Sequence, residues 1–360
     1  MKTIDYTFLE NCVFPANFID SINKLESNRT LSSLFKDEYP EIFSKLIPDS
    51  IIDSIFSSNQ LEGVYASNTV IKNMQKGLKP KNESERLVKG YIDAYKNIFD
   101  NYDKIEISEY SIYLIYKELN SYFDSFEGFK YRTKDTVIMQ TNDLGAKEVV
   151  FSPTPPHEIQ YQLSNLFEKY DIARKNPNIH PLFLIPCFIC DFLCIQPYPK
   201  YNSMLARLLT QLLLLKNGYK IVKYSSWEYE IYANDLEYFS AMKESSISYH
   251  ENENSYIPFV KYFLDTLNTI YAKISYRYKI LKVSEPKKAS RIRETLIYAN
   301  GYIGKEDIHT LWPDIAYNTI ELELSSLLKQ NLISKTGTTN GVSYLWLGEK
   351  KELKSFFDDI

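Results

Sequence analysis

The sequence predicts a mainly α-helical protein, on three observations. Only 11 glycines stand against 20 Phe and 30 Tyr, so few positions take positive φ cheaply, which disfavours all-β folds with many tight turns. Apolar residues recur at helical spacing, as Leu205, Leu208, Leu209, Leu212 and Leu213 do, the pattern of an inner helix face. The 360 residues are 44% apolar and 24% charged, ordinary globular usage over a length that suits about two domains. Forty-six acidic against 42 basic residues leave a net charge of -4, so no cationic excess exists to neutralise a run of phosphates.

Compartment and metal content follow from the same composition. Cys187, Cys190 and Cys194 sit at helical spacing in an apolar stretch, with Cys12 far away, unlike a secreted disulfide framework. No further Cys or His stands near to complete a tetrahedral site, so no metal is expected and the three read as small core residues. The start lacks a signal-peptide apolar run, and residues 181–195 are too short to span a bilayer and carry Asp191. The expectation is a cytoplasmic protein without a membrane segment.

Along the chain, residues 1–47 show short apolar patches between polar clusters and read as helical turns packed on something larger. Pro48, Asp49 and Ser50 form a start signal for a helix carrying Ile51, Ile52, Ile55 and Phe56, which ends near residues 61–63, where Gly63 supplies the left-handed residue. Further helices are predicted over 83–102 and 108–126, the latter with Tyr110, Tyr113, Leu114 and Leu119 on its periodic face. Thr136, Val137, Ile138, Val149, Val150 and Phe151 flank Asn142, Asp143 and Gly145, the pattern of a β-hairpin within residues 128–156. Pro153, Pro155 and Pro156 then stop the strand. Helices follow over 157–170, 181–195, 204–217, 235–245 and 257–282, and residues 284–288 read as a linker. Beyond it, helices over 291–299, 305–311 and 316–330 precede strands at 332–335 and 343–347, the order of a winged helix-turn-helix.

The loop between the two most apolar helices is the natural site, because the helix start at residues 203–205 offers free N–H groups to an anion. It reads Gln196, Pro197, Tyr198, Pro199, Lys200, Tyr201, Asn202, Ser203, Met204, Leu205, Ala206, Arg207. Here the sequence resembles the Fic family, whose members typically transfer AMP from ATP to a protein hydroxyl. The family's loop is His-Pro-Phe-x-Asp/Glu-Gly-Asn-Gly-Arg-x-x-Arg; Pro197, Asn202 and Arg207 match it and Tyr198 replaces Phe conservatively. His180-Pro181-Leu182 opens the preceding helix as in the family, and Gly128 with Tyr131-Arg132 before the hairpin resembles its target-docking flap. Ser58 to Gly63, with Glu62, matches the inhibitory pattern Ser/Thr-x-x-x-Glu-Gly/Asn. The resemblance runs from about residue 49 to 219 and implies a Fic-fold helical bundle with a β-hairpin flap, plus the small winged helix domain. The implied domains are an amino-terminal helical region (1–105, with the inhibitory helix near 49–63), a Fic-like core (106–283, with the flap near 128–156 and the motif loop 196–207) and a winged helix (289–360).

The departures carry as much chemistry as the matches. Gln196 stands where the family has its general base, and an amide has no basicity near neutral pH. Lys200 replaces the acidic ligand, so Mg²⁺ would face a positive charge. Tyr201 and Ser203 replace two glycines, and Met204 replaces an arginine. Ordinary AMP transfer is therefore disfavoured, and two readings stay open. In one, the pocket still binds ATP or another nucleotide through Lys200, Asn202, Ser203 and Arg207. In the other, Tyr201 fills the pocket and the protein is a scaffold or regulator. The resemblance implies a regulatory set of Ser58, Glu62 and Gly63, with Glu62 pairing Arg207 as a buried, bidentate ion pair that can persist as a structural link. The implied partner is a protein docked along the flap. Glu321 and Glu323 against Lys329 make the last helix a poor phosphate reader, so a protein contact or a homodimer fits there as well as DNA.

Overall fold

The fold follows from two long apolar segments that have no polar face to give to water. A computed structural model of the chain describes residues 2–12, 15–123, 131–141, 147–283, 285–299, 301–337 and 341–349. Gly128, Asn142, Asp143, Gly145 and Ser284, all used in the sequence reading, lie outside the described residues, as do 124–126 of the predicted third helix and 350–360 of the last domain. In chain order the helices are α1 (Ala16–Glu38), α2 (Pro40–Ser44), α3 (Ile47–Gln60), α4 (Asn68–Gln75), α5 (Glu83–Asn101) and α6 (Glu109–Leu119). Strands β1 (Ile138–Thr141) and β2 (Lys147–Phe151) come next, then α7 (Ile159–Ala173), α8 (Pro181–Ile195), α9 (Asn202–Lys216), α10 (Trp227–Ala233), α11 (Asp235–Ser246) and α12 (Ile257–Val283). The chain continues with α13 (Lys288–Tyr298), β3 (Ile303–Gly304), α14 (Lys305–Leu311), α15 (Tyr317–Lys329), β4 (Ile333–Thr336) and β5 (Ser343–Trp346). Among the described residues the chain is thus mainly helical with two small antiparallel sheets. Among the described residues no helix is long and apolar enough to cross a membrane.

The residues fall into two compact units, one of Met1–Asn23 and Ser50–Ile270, the other of Lys24–Asp49 and Tyr271–Ile360. In the first unit α8 and α9 form the centre: every α8 residue from Leu184 to Ile195 is buried, and so are all from Met204 to Leu215 on α9. Full burial of one such Leu or Phe stabilises by about 1.5–3 kcal/mol. α8 packs on α7 and α9, and α9 on α5. His180 caps α8, accepting from the Leu182 N–H at 3.3 Å, and Pro181 takes the first position, where its missing donor costs nothing. The β1–β2 hairpin pairs antiparallel, Ile138 with Phe151 and Met139 with Val149, a bulge lying between the two pairs. In the second unit α13, α14 and α15 pack with a three-stranded sheet of order β3-β5-β4.

Several sequence expectations are corrected. Residues 1–47 hold a 23-residue helix, α1, where only turns are expected. Its buried Phe18, Leu25, Leu31 and Phe35 are unevenly spaced among polar residues, so no clean stripe marks it. The buried face of α6 is Ile112, Ile115, Tyr116 and Leu119, whereas Tyr110 and Leu114 are exposed; the tyrosines at 110 and 113 mimic a period that the isoleucines set. α6 ends at Leu119. α7 begins only at Ile159, after a 3₁₀ turn at Pro156–Glu158. α4, α10 and strand β3 are short and were not expected from the periodicity. α3 buries Ser50, Ser54, Ser57 and Ser58 along with Ile52 and Ile55, while Ile51 and Phe56 are only half-buried.

Candidate functional site

The loop between α8 and α9 is a strained reversal held by its own side chains. Gln196 ends α8 in the left-handed region (φ 45°), and Tyr201 precedes α9 there too (φ 62°). Such a conformation costs a side-chain-bearing residue about 1–2 kcal/mol. Asn202 offsets part of this: its Oδ1 accepts from the Tyr198 N–H at 3.0 Å and its Nδ2 donates to the Tyr198 carbonyl at 2.7 Å, closing the loop on itself. Tyr198 stacks on Tyr116 of α6 with centroids 4.0 Å apart, and the Lys200 backbone N–H meets the Tyr116 hydroxyl, whose acidity burial weakens to a pKa of about 12.

Arg132 ties the base of the hairpin to this loop. Its Nε donates to the Gln196 carbonyl at 2.9 Å and its Nη2 to the carbonyls of Thr154 and Ile195, so it satisfies orphan acceptors at the C-terminus of α8. Its own N–H donates to the Pro197 carbonyl at 2.9 Å, and the Thr154 N–H donates to Cys194 at 3.1 Å. Burial disfavours the charged guanidinium and pulls its pKa down.

Arg207, one turn and more into α9, is 2% exposed. Its Nε donates to the Ser58 Oγ at 2.9 Å, and its Nη2 to the Ser58 carbonyl at 3.0 Å and to Glu62 Oε1 at 2.9 Å. The expected ion pair is present, with two corrections: one nitrogen makes it, so it is not bidentate, and Glu62 is 23% exposed rather than buried. The second fork arm goes to Ser58 because α3 presents that serine one turn before Glu62. Burial is the largest single influence and lowers the Arg207 pKa, but Glu62, Tyr91 and Tyr238 together outweigh it and hold the pKa above its ordinary value. Gly63 follows with φ 71°, the left-handed turn residue predicted for the end of α3.

A cavity of about 570 Å³ opens between the hairpin, the motif loop and α11. Ile138 and Phe151 of the hairpin, Gln196, Ser203, and Tyr238 and Phe239 of α11 line it. Burial holds the Tyr238 pKa up at about 12, and the charges of Arg207 and Glu62 also act on it. Of the sequence-predicted residues, Gln196 and Ser203 face the cavity. Ser58, Glu62 and Arg207 gather with one another and are not among the lining residues; Lys200 is exposed on the loop, and Asn202 is occupied within it. Tyr201 is not among the lining residues; it stacks on Phe123 at 6.4 Å instead. Two contributors escaped the sequence reading: the carbonyl-binding role of Arg132, and Glu228, a fully buried acid on α10 facing Arg207. The Tyr131-Arg132 pair ahead of the hairpin is the one sequence signal for the first; nothing local marks the second.

No significant match to this chain exists among curated proteins. The model of the Fic/DOC family matches residues 99–214, which hold the loop, α8, most of α9 and the hairpin. A Fic family protein from Desulfovibrio desulfuricans G20 is similar over 95% of this chain and 99% of its own, at TM-score 0.59 and 14% identity. A Fic domain containing signaling protein from Bacteroides thetaiotaomicron VPI-5482 covers 71% of this chain and 97% of its own, at TM-score 0.58 and 18% identity. Fic-1 from C. elegans covers 72% and 73%, at TM-score 0.54 and 15% identity. At these identities the structures speak for the fold alone; the family match shows that residues 99–214 of the chain form a Fic/DOC domain.

Proposed function

We propose that this chain is a Fic protein that binds a nucleotide such as ATP but does not carry out ordinary AMP transfer. The observation that carries the reading is a 570 Å³ cavity lined by an amide, Gln196, where an attacking hydroxyl needs a base, and by Tyr238, which feels the charge of the buried Arg207 guanidinium. The cavity lies within the usual size range of small-ligand sites. Its apolar wall of Ile138, Phe151 and Phe239 suits a nucleobase, and Ser203 with the first N–H groups of α9 suits phosphate oxygens. Loss of a general base typically costs about 10²–10⁴-fold in rate. The donor set does not fit Mg²⁺: Lys200 stands at the acidic ligand's position, and no cluster of three or more His, Cys, Asp or Glu that could hold a metal occurs among the described residues. In this reading Lys200 meets phosphate charge directly, and Asn202 acts by shaping the loop. A protein target would dock along β1, where Ile138 and Met139, with Val137 just before the strand, are exposed.

Glu62 occupies one Arg207 donor that a terminal phosphate would take, so ATP and Glu62 compete. The test is thermal unfolding of the wild type and Glu62→Gly with ATP, alongside labelling by radiolabelled ATP. Expected are a larger ATP-induced rise in Tm for Glu62→Gly, at about 2–4 °C per kcal/mol of binding, and no labelled protein. Absence of any shift in both proteins sinks nucleotide binding; rapid labelling sinks the catalytic deficit.

One observation favours a second, non-enzymatic reading for the unit of α13–β5. Glu321 on α15 is engaged by Lys305 at 2.6 Å while Leu322 is 65% exposed, a surface for protein, a second copy included, rather than for phosphates. DNA affinity that falls steeply with salt would overturn this preference.

A further inference from the structure

Arg207 has a second carboxyl group on its inner side. Glu228 is 1% exposed and Tyr91 of α5 donates to its Oε1 at 3.3 Å. The Tyr91 hydroxyl is also hydrogen-bonded to Ser58, the residue that accepts from Arg207 Nε. A parallel arm runs one turn away: Tyr95 donates to Ser54 at 3.2 Å, Ser54 to Ser226 at 2.8 Å, and Ser226 lies 3.5 Å from Glu228 Oε2. Ser54 and Ser58 are four residues apart on α3, as Tyr91 and Tyr95 are on α5, so both helices aim matched hydroxyls at the same acid. Burial raises the Glu228 pKa, while Arg207, Ser54 and Tyr91 oppose that rise.

We infer that Glu228 is a positioning residue for Arg207: through Tyr91 and Ser58 it fixes the guanidinium in the site and supplies a counter-charge that stays when Glu62 withdraws. A buried cation with one counter-ion would be stranded when that ion leaves. With Glu228 behind it, Arg207 keeps its orientation and its outward Nη2 can pass from Glu62 to a ligand. This rests on the reading that Arg207 is the site's phosphate-facing cation, but its test needs no nucleotide.

Two measurements on the full chain decide it. Arg207→Met and Glu228→Gln, singly and together, give a double-mutant cycle by urea unfolding; the double variant should depart from the product of the singles by about tenfold or more in the unfolding constant, whereas multiplicative effects overturn the inference. In the Glu62→Gly background, which keeps both buried partners, the exchange rate of the Arg207 Nε–Hε proton is followed by NMR. Adding Glu228→Gln or Tyr91→Phe should speed it about tenfold or more. An unchanged rate, with stability alone lowered, reduces Glu228 to a structural role and overturns the inference. If these results hold while ATP fails to bind, the nucleotide reading alone falls.

Discussion

Tyr201 shows what a tight turn costs a single side-chain-bearing residue. Its φ of 62° is a conformation that glycine adopts without strain. Truncation to alanine and to glycine both remove the ring and its stacking on Phe123, and differ only at the backbone. Tyr201→Gly should therefore be more stable than Tyr201→Ala by about 1 kcal/mol in urea unfolding; equal stability would show that the loop relaxes. The residue scale is also where the sequence was most legible. Pro197, Asn202, Arg207, Ser58 and Glu62 were identifiable because a motif fixes spacing, and spacing on two helices delivered Arg207 to Ser58 and Glu62. Which donor reaches which acceptor was not legible, since a one-turn offset between α3 and α9 decides it. The inward aim of Glu228 was equally hidden, because an acid that follows a helix-capping serine reads as a solvated first-turn residue.

At the scale of elements, the long apolar segments declared themselves: α8 begins and ends as predicted because Pro181 and Gln196-Pro197 punctuate it. Short or weakly patterned helices did not, as α1 and α4 illustrate. The close approach of α5 to α6 rests on Gly90, where an added Cβ would lie 2.0 Å from the Leu119 carbonyl oxygen. Alanine gains about 1 kcal/mol of helix propensity over glycine, yet the overlap is with backbone and must separate the helices, at about 1–3 kcal/mol or more. Gly90→Ala should thus lower stability, read as a fall in the urea midpoint. Because α6 carries Tyr116 under Tyr198, the same variant should loosen the motif loop, visible as faster amide exchange at residues 198–202.

On the scale of the whole molecule, one buried acid joins distant parts of the chain. Asp191 accepts from Tyr6 at 2.6 Å and from Tyr256 at 2.8 Å, with Lys2, Tyr249, Cys187, Cys190 and Cys194 also near it. Burial is the largest influence and raises its pKa from 3.8 to about 6; Tyr6, Lys2 and Tyr256 pull the other way. The folded state therefore holds this proton more tightly than the unfolded chain. The resulting stability is complete below pH 3.8 and fades as pH rises through about 6, by about 3 kcal/mol in all. Urea unfolding across this window should show Asp191→Asn losing that downward slope; an unchanged slope would place the titration elsewhere.

The same contacts set an order of events during synthesis. Lys2 donates to Asn254 at 2.5 Å, the Thr3 N–H to Asn252 at 2.6 Å, and Tyr6 to Asp191, so these residues find their partners only after some 185 to 252 more have emerged. A nascent chain must carry this segment unsatisfied until Asn254 has emerged, and a ribosome-stalled intermediate cut short of Asn252 should leave it open to protease.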